Sequence, residues 1–359
     1  MSLKKIMQKL LGLILLLPLT SFSQFSDTTK KESHLVNISQ LTFGGDNAEA
    51  YFSFNGSYLS FQSNNSKWGL KCDQIFSMNI KKAIKQKSSY MPQLISTGKG
   101  RTTCSYYMPN DKEILFASTH HYMDTCPAVA PYNPKAKYVW PVYPEFDVFV
   151  SNTKGKILQQ LTDTFGYDAE ATVSPKGDKI VFTSTRSGDL ELWTMNIDGS
   201  GLKQITTGLG YDGGAFFSPD GTKLVFRASR PKTEEEVKEY KELLAQGLVA
   251  PTNMEIYVCD IDGNNLKQIT HLGKANWAPF FSPDGKKIIF SSNHASPRGY
   301  SFQLYMVNLD GTNLTQITTE SNFNAFPMFS PDGKKLVWSS NRNNGGTRDT
   351  NLFIADWID

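Results

Sequence analysis

The sequence predicts an all-β fold, a six-bladed β-propeller of four-stranded antiparallel blades closed by an N-terminal strand joining the C-terminal blade. Three observations predict it. The stretch FFSPDGTKLVFRASR at residues 216–230 returns as FFSPDGKKIIFSSNH at 280–294 and MFSPDGKKLVWSSNR at 328–342, with a worn copy, TVSPKGDKIVFTSTR, at 172–186. Each copy is an apolar strand, a tight turn and a second, alternating strand. Pro presets φ at the second turn position and Gly tolerates positive φ where the chain reverses. A third strand follows each hairpin, then an Asp-Gly turn, then a short fourth strand (LKQIT at 202 and 266, LTQIT at 314), and Asp-Gly between alternating apolar runs is a strong hairpin signal. Lastly, NISQLT at 37–42 has the fourth-strand pattern, while the chain ends on a third-strand pattern, NLFIADW at 351–357. Joining the two completes the last blade and removes an open sheet edge.

Taken in order, residues 1–23 read as a secretory signal. Lys4, Lys5 and Lys9 form its basic region, residues 10–17 its apolar core, and Ser21-Phe22-Ser23 a small-x-small cleavage site before Gln24. The apolar run is too short to span a bilayer, and no Cys near the cleavage site points to a lipid anchor. Removing three lysines brings the formal charge of +3 to about zero, which argues against nucleic acid as a partner. Residues 24–36 are a short lead-in, and 37–359 form the propeller. Its turns align at Ser53, Met108, Ser174, Ser218, Ser282 and Ser330, giving six units, of which the first two are the most degenerate.

These repeats resemble the TolB-like six-bladed propellers, whose units carry S-P-D-G, S-x-R and N-x-D-G. The resemblance covers nearly all of the chain after the leader and lacks the α/β domain that precedes the propeller in TolB itself. It implies a periplasmic or secreted address and a role as an interaction scaffold.

The Ser-Pro-Asp-Gly and Asp-Gly turns share one face, so all irregular sequence is expected on the opposite, top face, where variable loops on a rigid frame bind ligands. A long loop in blade two (119–145) is rich in Pro and aromatic residues. An insertion in blade four (231–253) carries a helix with Thr233 as N-cap, Tyr240, Leu243 and Leu244 on one face, and Gly247 as its stop. A blade-five loop (294–301) contains Arg298.

Aligned positions form two rings: Asn65, His120, Arg186, Arg230, His294 and Arg342, and Asn47, Thr102, Asp168, Asp212, Asn276 and Asn324. They read either as ligand contacts or as structural ion pairs formed between blades. Departures from the repeat point more directly to a site. Four residues before the turn Ser, Glu49 and Glu170 stand where blades four to six have Gly214, Ala278 and Phe326, and blade two adds Arg101, Cys104, His120, His121 and Asp124. Two carboxylates with imidazoles suit proton transfer or a divalent cation on the top face; a salt-bridge network is the structural alternative. Trp277, Tyr167 and Tyr211 either stack on sugar rings or pack between blades. Four Cys in an exported chain permit three pairings; Cys104–Cys126 is expected, with Cys72 as competitor for either, and Cys259 in the core.

Residues 208–213 match G-x-G-x-x-G but open no helix, so the dinucleotide reading fails. DIDGNN at 260–265 lacks the downstream Glu of a calcium loop and is one of a series of turns. No other cofactor motif is present. Two functions remain. The first is an exported, monomeric, non-enzymatic scaffold binding a protein or glycan through the top face, at Arg101, His120, His121, Asp124, Asp168, Glu170, Arg186, Asp212, Arg230, Trp277, His294 and Arg298. The second is a polysaccharide lyase or hydrolase using Glu49, Glu170, His120, His121 and Arg101.

Overall fold

Six four-stranded antiparallel sheets, one per repeat, carry the chain in a computed structural model that describes residues 32–127 and 137–359. The expected signal and most of the 24–36 lead-in lie outside the described residues. In blade three the strands run in order Asp168–Val173, Lys179–Ser184, Glu191–Asn196 and Lys203–Gln204, and blades one, two, four and five follow the same order. Blade six takes its first three strands from the C-terminus and its fourth, Leu35–Gln40, from the other end of the chain. That strand pairs with Asn351–Trp357 from Leu35↔Trp357 to Gln40↔Phe353, starting two residues earlier than the sequence pattern indicates. The N-terminal segment is held further by Glu32, whose two carboxylate oxygens accept from both terminal nitrogens of Arg342 at 3.0 and 3.1 Å.

The turns behave as their residues dictate. In blade four Ser218 Oγ donates to Asp220 Oδ1 at 2.6 Å and accepts from the Lys223 amide at 2.9 Å, and blades five and six repeat this with Ser282–Asp284 and Ser330–Asp332. The final Gly takes φ near +70° (Gly221 69°, Gly285 70°, Gly333 70°). It also abuts the preceding blade: a Cβ on Gly333 would lie 2.8 Å from Pro283. One linker departs from expectation. Between the third and fourth strands of blade one, where other blades place an Asp-Gly turn, helix α1 (Ile80–Gln86) is capped by the Asn79 side chain. Irregular sequence is thus present on the turn face as well, because Ile80 and Ala83 are buried and anchor the helix against the blade.

Each first strand carries one β-bulge. The ladder to the second strand slips between Ala48 and Tyr51, Thr103 and Ser105, Ala169 and Thr172, Gly213 and Phe216, Trp277 and Phe280, and Ala325 and Met328. Within each gap one residue adopts left-handed backbone: Glu49 (φ 54°), Cys104 (42°), Glu170 (58°), Gly214 (60°), Ala278 (47°) and Phe326 (56°). These are the residues four places before the turn Ser. A bulge re-aims a side chain that regular pleating would hold elsewhere.

Replacing Gly333 by Ala should destabilise the protein by about 1–3 kcal/mol, from positive φ and contact with Pro283. Thermal unfolding should show a midpoint several degrees lower; an unchanged midpoint would contradict the inter-blade contact.

Candidate functional site

The bulges give the central channel its shape. Below them Phe216 reaches across the axis, its ring 5.3 Å from Tyr51, 6.4 Å from Tyr106 and 5.2 Å from Phe280. This aromatic plug separates an apolar hollow on the turn face, lined by Pro175, Pro219, Pro283 and Pro331, from a top-face chamber of about 320 Å³. The roof is made by the two long insertions. Trp140-Pro141 from blade two pairs antiparallel with Leu248-Val249 from blade four, and the Val142 amide donates to Gly247 O at 2.7 Å. Helix α2 (Glu234–Ala245) stands beside this roof. Thr233 and Glu236 form a capping box at its start, and Gly247 (φ 69°) follows its last turn. Tyr240, the buried residue of α2, donates its hydroxyl to Asp189. Apolar packing of Val142, Phe146, Val249 and Trp277 joins the roof to the blades.

The chamber wall holds acids and guanidinium groups together. Glu170 accepts from Arg227 Nη2 at 2.5 Å, Tyr211 Oη at 2.5 Å, Thr183 Oγ1 at 2.8 Å and the Gly214 amide at 2.7 Å. Burial works against its ionisation, but Arg227 and these hydrogen bonds prevail and hold its carboxyl below the ordinary value. Arg227 lies 5.2 Å from the Trp140 ring centre and 5.0 Å from that of Tyr211. Gly214 makes this pair fit, since a Cβ there would sit 1.9 Å from Arg227 Nη1. Arg101 lies 3.7 Å from Asp73. Glu49 differs: its Oε2 is buried with no hydrogen-bond partner. Burial pushes its carboxyl up to about 7, the Cys104 thiol opposes this, and Glu170 across the channel adds to it. Burial likewise pushes the Cys104 thiol well above its ordinary value, so it stays neutral.

The sequence candidates divide accordingly. Glu49, Glu170, Arg101, Cys104, Trp277, Tyr167 and Tyr211 line the chamber. His120 does not. Its ring packs 4.3 Å from Phe149 and its Nδ1 meets Ser118 Oγ at 2.8 Å, and His294 repeats this with Tyr305 and Ser292. His121 is exposed beside Tyr122, Asp124 pairs at the surface with Lys99, and Arg298 is exposed. Arg186 and Arg230 stack on their blades' third-strand aromatics Trp193 and Tyr257. They pair with Asp168 at 2.7 Å and Asp212 at 2.5 Å. These pairs are within a blade, not between blades as expected, because the Arg follows the second strand directly opposite the start of the first.

Between blades the contact is different. The first residue of each third strand accepts from a fourth-strand hydroxyl and faces the next blade: Thr270 to Glu255 at 2.5 Å, Thr318 to Gln303 at 2.7 Å, with Asn276 and Asn324 donating amides from beyond. At two seams both partners are acids, Asp147 facing Asp168 and Glu191 facing Asp212. With one Arg for two carboxylates, each seam holds its second proton to a higher pH than an ordinary carboxyl does. Burial and then the neighbouring acid push Asp147 up to about 6 and Glu191 up to about 8, against hydrogen bonds from Thr162 and Thr206.

The disulfide also corrects an expectation. Cys126 bonds Cys72, with Cα atoms 5.9 Å apart, and Cys104 is free. The left-handed backbone at Cys104 turns its thiol into the channel, whereas Cys72 and Cys126 meet between the blade-one and blade-two links. Cys259 is buried and unpaired, as its register implied. Sequence reasoning missed Arg227. The aligned positions in other blades hold Gln62, Ala117, Thr183, Ser291 and Ser339, so an Arg among small and polar residues was the available signal. Among the described residues, no group of three or more His, Cys, Asp or Glu is placed to hold a metal ion.

The family model for the TolB beta propeller domain matches residues 116–250 and 241–353. The chain belongs to the TolB β-propeller family. Among solved structures this TolB-family chain is similar to a putative TolB from Agrobacterium tumefaciens, at 17% identity and a TM-score of 0.56, over 88% of this chain and 91% of that one. TolB from Acinetobacter baumannii matches at 17% identity and a TM-score of 0.53, covering 87% of this chain and 63% of that protein. An oligogalacturonate lyase in complex with manganese matches at 13% identity and a TM-score of 0.47, over 88% and 90% of the two chains. At these identities the likeness is one of fold. Comparison with curated proteins returns no match.

Two measurements test the charge arrangement. Replacing Arg227 by Met leaves Glu170 buried without its counter-ion and should cost about 3–5 kcal/mol in urea unfolding at pH 7. Adding Glu170→Gln to that variant should recover part of the loss. The second concerns Glu191. Its folded-state pKa of about 8 lies above the ordinary carboxyl value. The folded protein therefore binds more protons than the unfolded chain between these values, and this group's contribution to stability falls as pH rises across the window. Glu191→Gln should flatten that decline and raise stability at pH 8 by roughly 1 kcal/mol. A steeper decline in the variant would refute the shared proton.

Proposed function

We propose that this TolB-family chain is an exported, non-enzymatic binding scaffold whose capped top-face chamber takes the ligand, a segment of a protein or a glycan. One observation carries this reading: of the two chamber carboxylates the enzyme reading uses, Glu170 is already neutralised by Arg227 and saturated with hydrogen bonds, so Glu49 alone has an unpaired oxygen. A catalytic acid or base needs a free proton position within hydrogen-bond reach of substrate. His120 and His121, the proton carriers the enzyme reading requires, are placed away from the chamber. What remains is an aromatic enclosure with a few polar groups, the usual character of a small-ligand site. Export is supported by the Cys72–Cys126 disulfide, since such bonds persist in oxidising compartments. Among the described residues, no helix is long and apolar enough to cross a membrane.

Trp140 and Trp277 pack against each other in the chamber lining with ring centres 5.0 Å apart, so their fluorescence reports occupancy. Titration with uronic acid, hexosamine and neutral hexose oligosaccharides should give a saturable change for at least one class. No new reducing ends or unsaturated products should appear. Turnover lost on both His120→Ala and Glu49→Gln would replace this reading with the lyase or hydrolase one.

A further inference from the structure

We propose that the chamber recognises a ligand carrying one protonated amine together with acceptor oxygens, with Glu49 as the counter-ion of the amine. This rests on the reading of the chamber as the ligand site. The charge balance of the wall is the first ground. Among the described residues the chamber is lined by three acids, Glu49, Asp73 and Glu170, and by two guanidinium groups, Arg101 and Arg227. Arg227 is committed to Glu170 at 2.5 Å and Arg101 faces Asp73 at 3.7 Å. Glu49 is left over. It has a buried Oε2 without a hydrogen-bond partner, and the side-chain donor that reaches it among the described residues is a weak one, the Cys104 thiol.

The backbone supplies the second ground. Glu49 occupies the left-handed bulge position at φ 54°, where equivalent residues in blades four and five are Gly214 and Ala278. A long side chain there is strained on the order of 1 kcal/mol and places a carboxyl where burial disfavours its charge. Buried charges are paired or they neutralise, and here burial pushes the carboxyl up to about 7. An ammonium group entering the chamber removes that conflict. The walls suit it as well: Tyr51, Tyr138, Trp140 and Trp277 are within the lining, and aromatic faces attract cations once water is excluded. A ligand anion, by contrast, would meet three carboxylates and no uncommitted cation. Two further polar features are donors. Arg101 Nε and Arg227 Nε are buried without acceptors, and because both groups are already charge-balanced, they call for a neutral oxygen on the ligand. Hydroxylated amines, amino sugars among them, carry both features and fit within about 320 Å³.

Two charge series on fixed bodies test this. Glucosamine, glucose and glucuronate form one; tyramine, 4-ethylphenol and 3-(4-hydroxyphenyl)propanoate form the other. Each is titrated at pH 7, where the amine members are mostly protonated, by calorimetry and by tryptophan fluorescence. In at least one series the amine should bind at least tenfold more tightly than its neutral and anionic counterparts. Glu49→Gln should abolish that preference while circular dichroism shows an unchanged fold. Equal or tighter binding of the neutral or anionic member overturns the amine assignment and leaves the chamber as a ligand site. Absence of binding by all six compounds overturns the amine assignment too, and combined with silent oligosaccharide titrations it removes the ligand site as well. A preference surviving in Glu49→Gln overturns the role of that residue.

Discussion

At the same point in every innermost strand the ladder slips by one residue, and the residue at the slip takes left-handed backbone. Everything found in the channel depends on that repeated constraint. Five of the six positions hold residues other than glycine, and each such residue carries strain on the order of 1 kcal/mol. Regular pleating would alternate these side chains between the two faces of the blade. The bulge instead aims one side chain per blade at the axis, so a ring of six positions can be altered without disturbing the ladders around it. In this chain the ring reads Glu, Cys, Glu, Gly, Ala, Phe, and its polar half lies over blades one to three.

Charge is organised on two separate circuits. The outer one holds the blades together: an Arg stacked on a third-strand aromatic, an Asp beneath it, and an acid or amide from the preceding blade. Where amides face each other, as Asn324 and Gln303 do, the two add no charge to the seam; where two acids share one Arg, the second proton is held to a higher pH than usual. The inner circuit consists of Glu170–Arg227, Asp73–Arg101 and the unmatched Glu49. Keeping the circuits apart explains why five basic or imidazole residues at aligned positions do not line the chamber. His120, Arg186, Arg230, His294 and Arg342 all complete their own blades.

Local signals make the propeller legible in the amino-acid sequence. Ser-Pro-Asp-Gly turns, Asp-Gly turns and alternating strands each act within a few residues, and their period supplies the blade count and the closure. The same register locates Glu49 and Glu170 as exceptions. What it does not convey is direction. Cys104, Cys72 and Cys126 all map to the top of blades one and two, yet only φ at Cys104 separates a channel-facing thiol from two that bond at the rim. His120 and Arg186 share a register with one another and not with the chamber. Roof pairing between Trp140-Pro141 and Leu248-Val249 joins segments about a hundred residues apart in sequence, a contact no short-range pattern encodes.

Blade four shows how a site is built from a repeat. Its hairpin is among the most regular in the chain, yet three departures are concentrated there. Arg227 replaces a small or polar residue, Gly213 and Gly214 clear space, and an insertion contributes half of the roof. Each departure makes sense only with the others. A Cβ on Gly213 would lie 2.4 Å from Glu170 Oε2 and one on Gly214 1.9 Å from Arg227 Nη1, so the ion pair requires both glycines. Without the ion pair, Glu170 would be a second uncompensated acid facing Glu49. The regular hairpin supplies rigidity, and rigidity is what allows a buried pair to be held at hydrogen-bonding distance in spite of its desolvation cost. The unmatched Glu49 therefore stands out against a wall in which, among the described residues, every other charge has been given a partner.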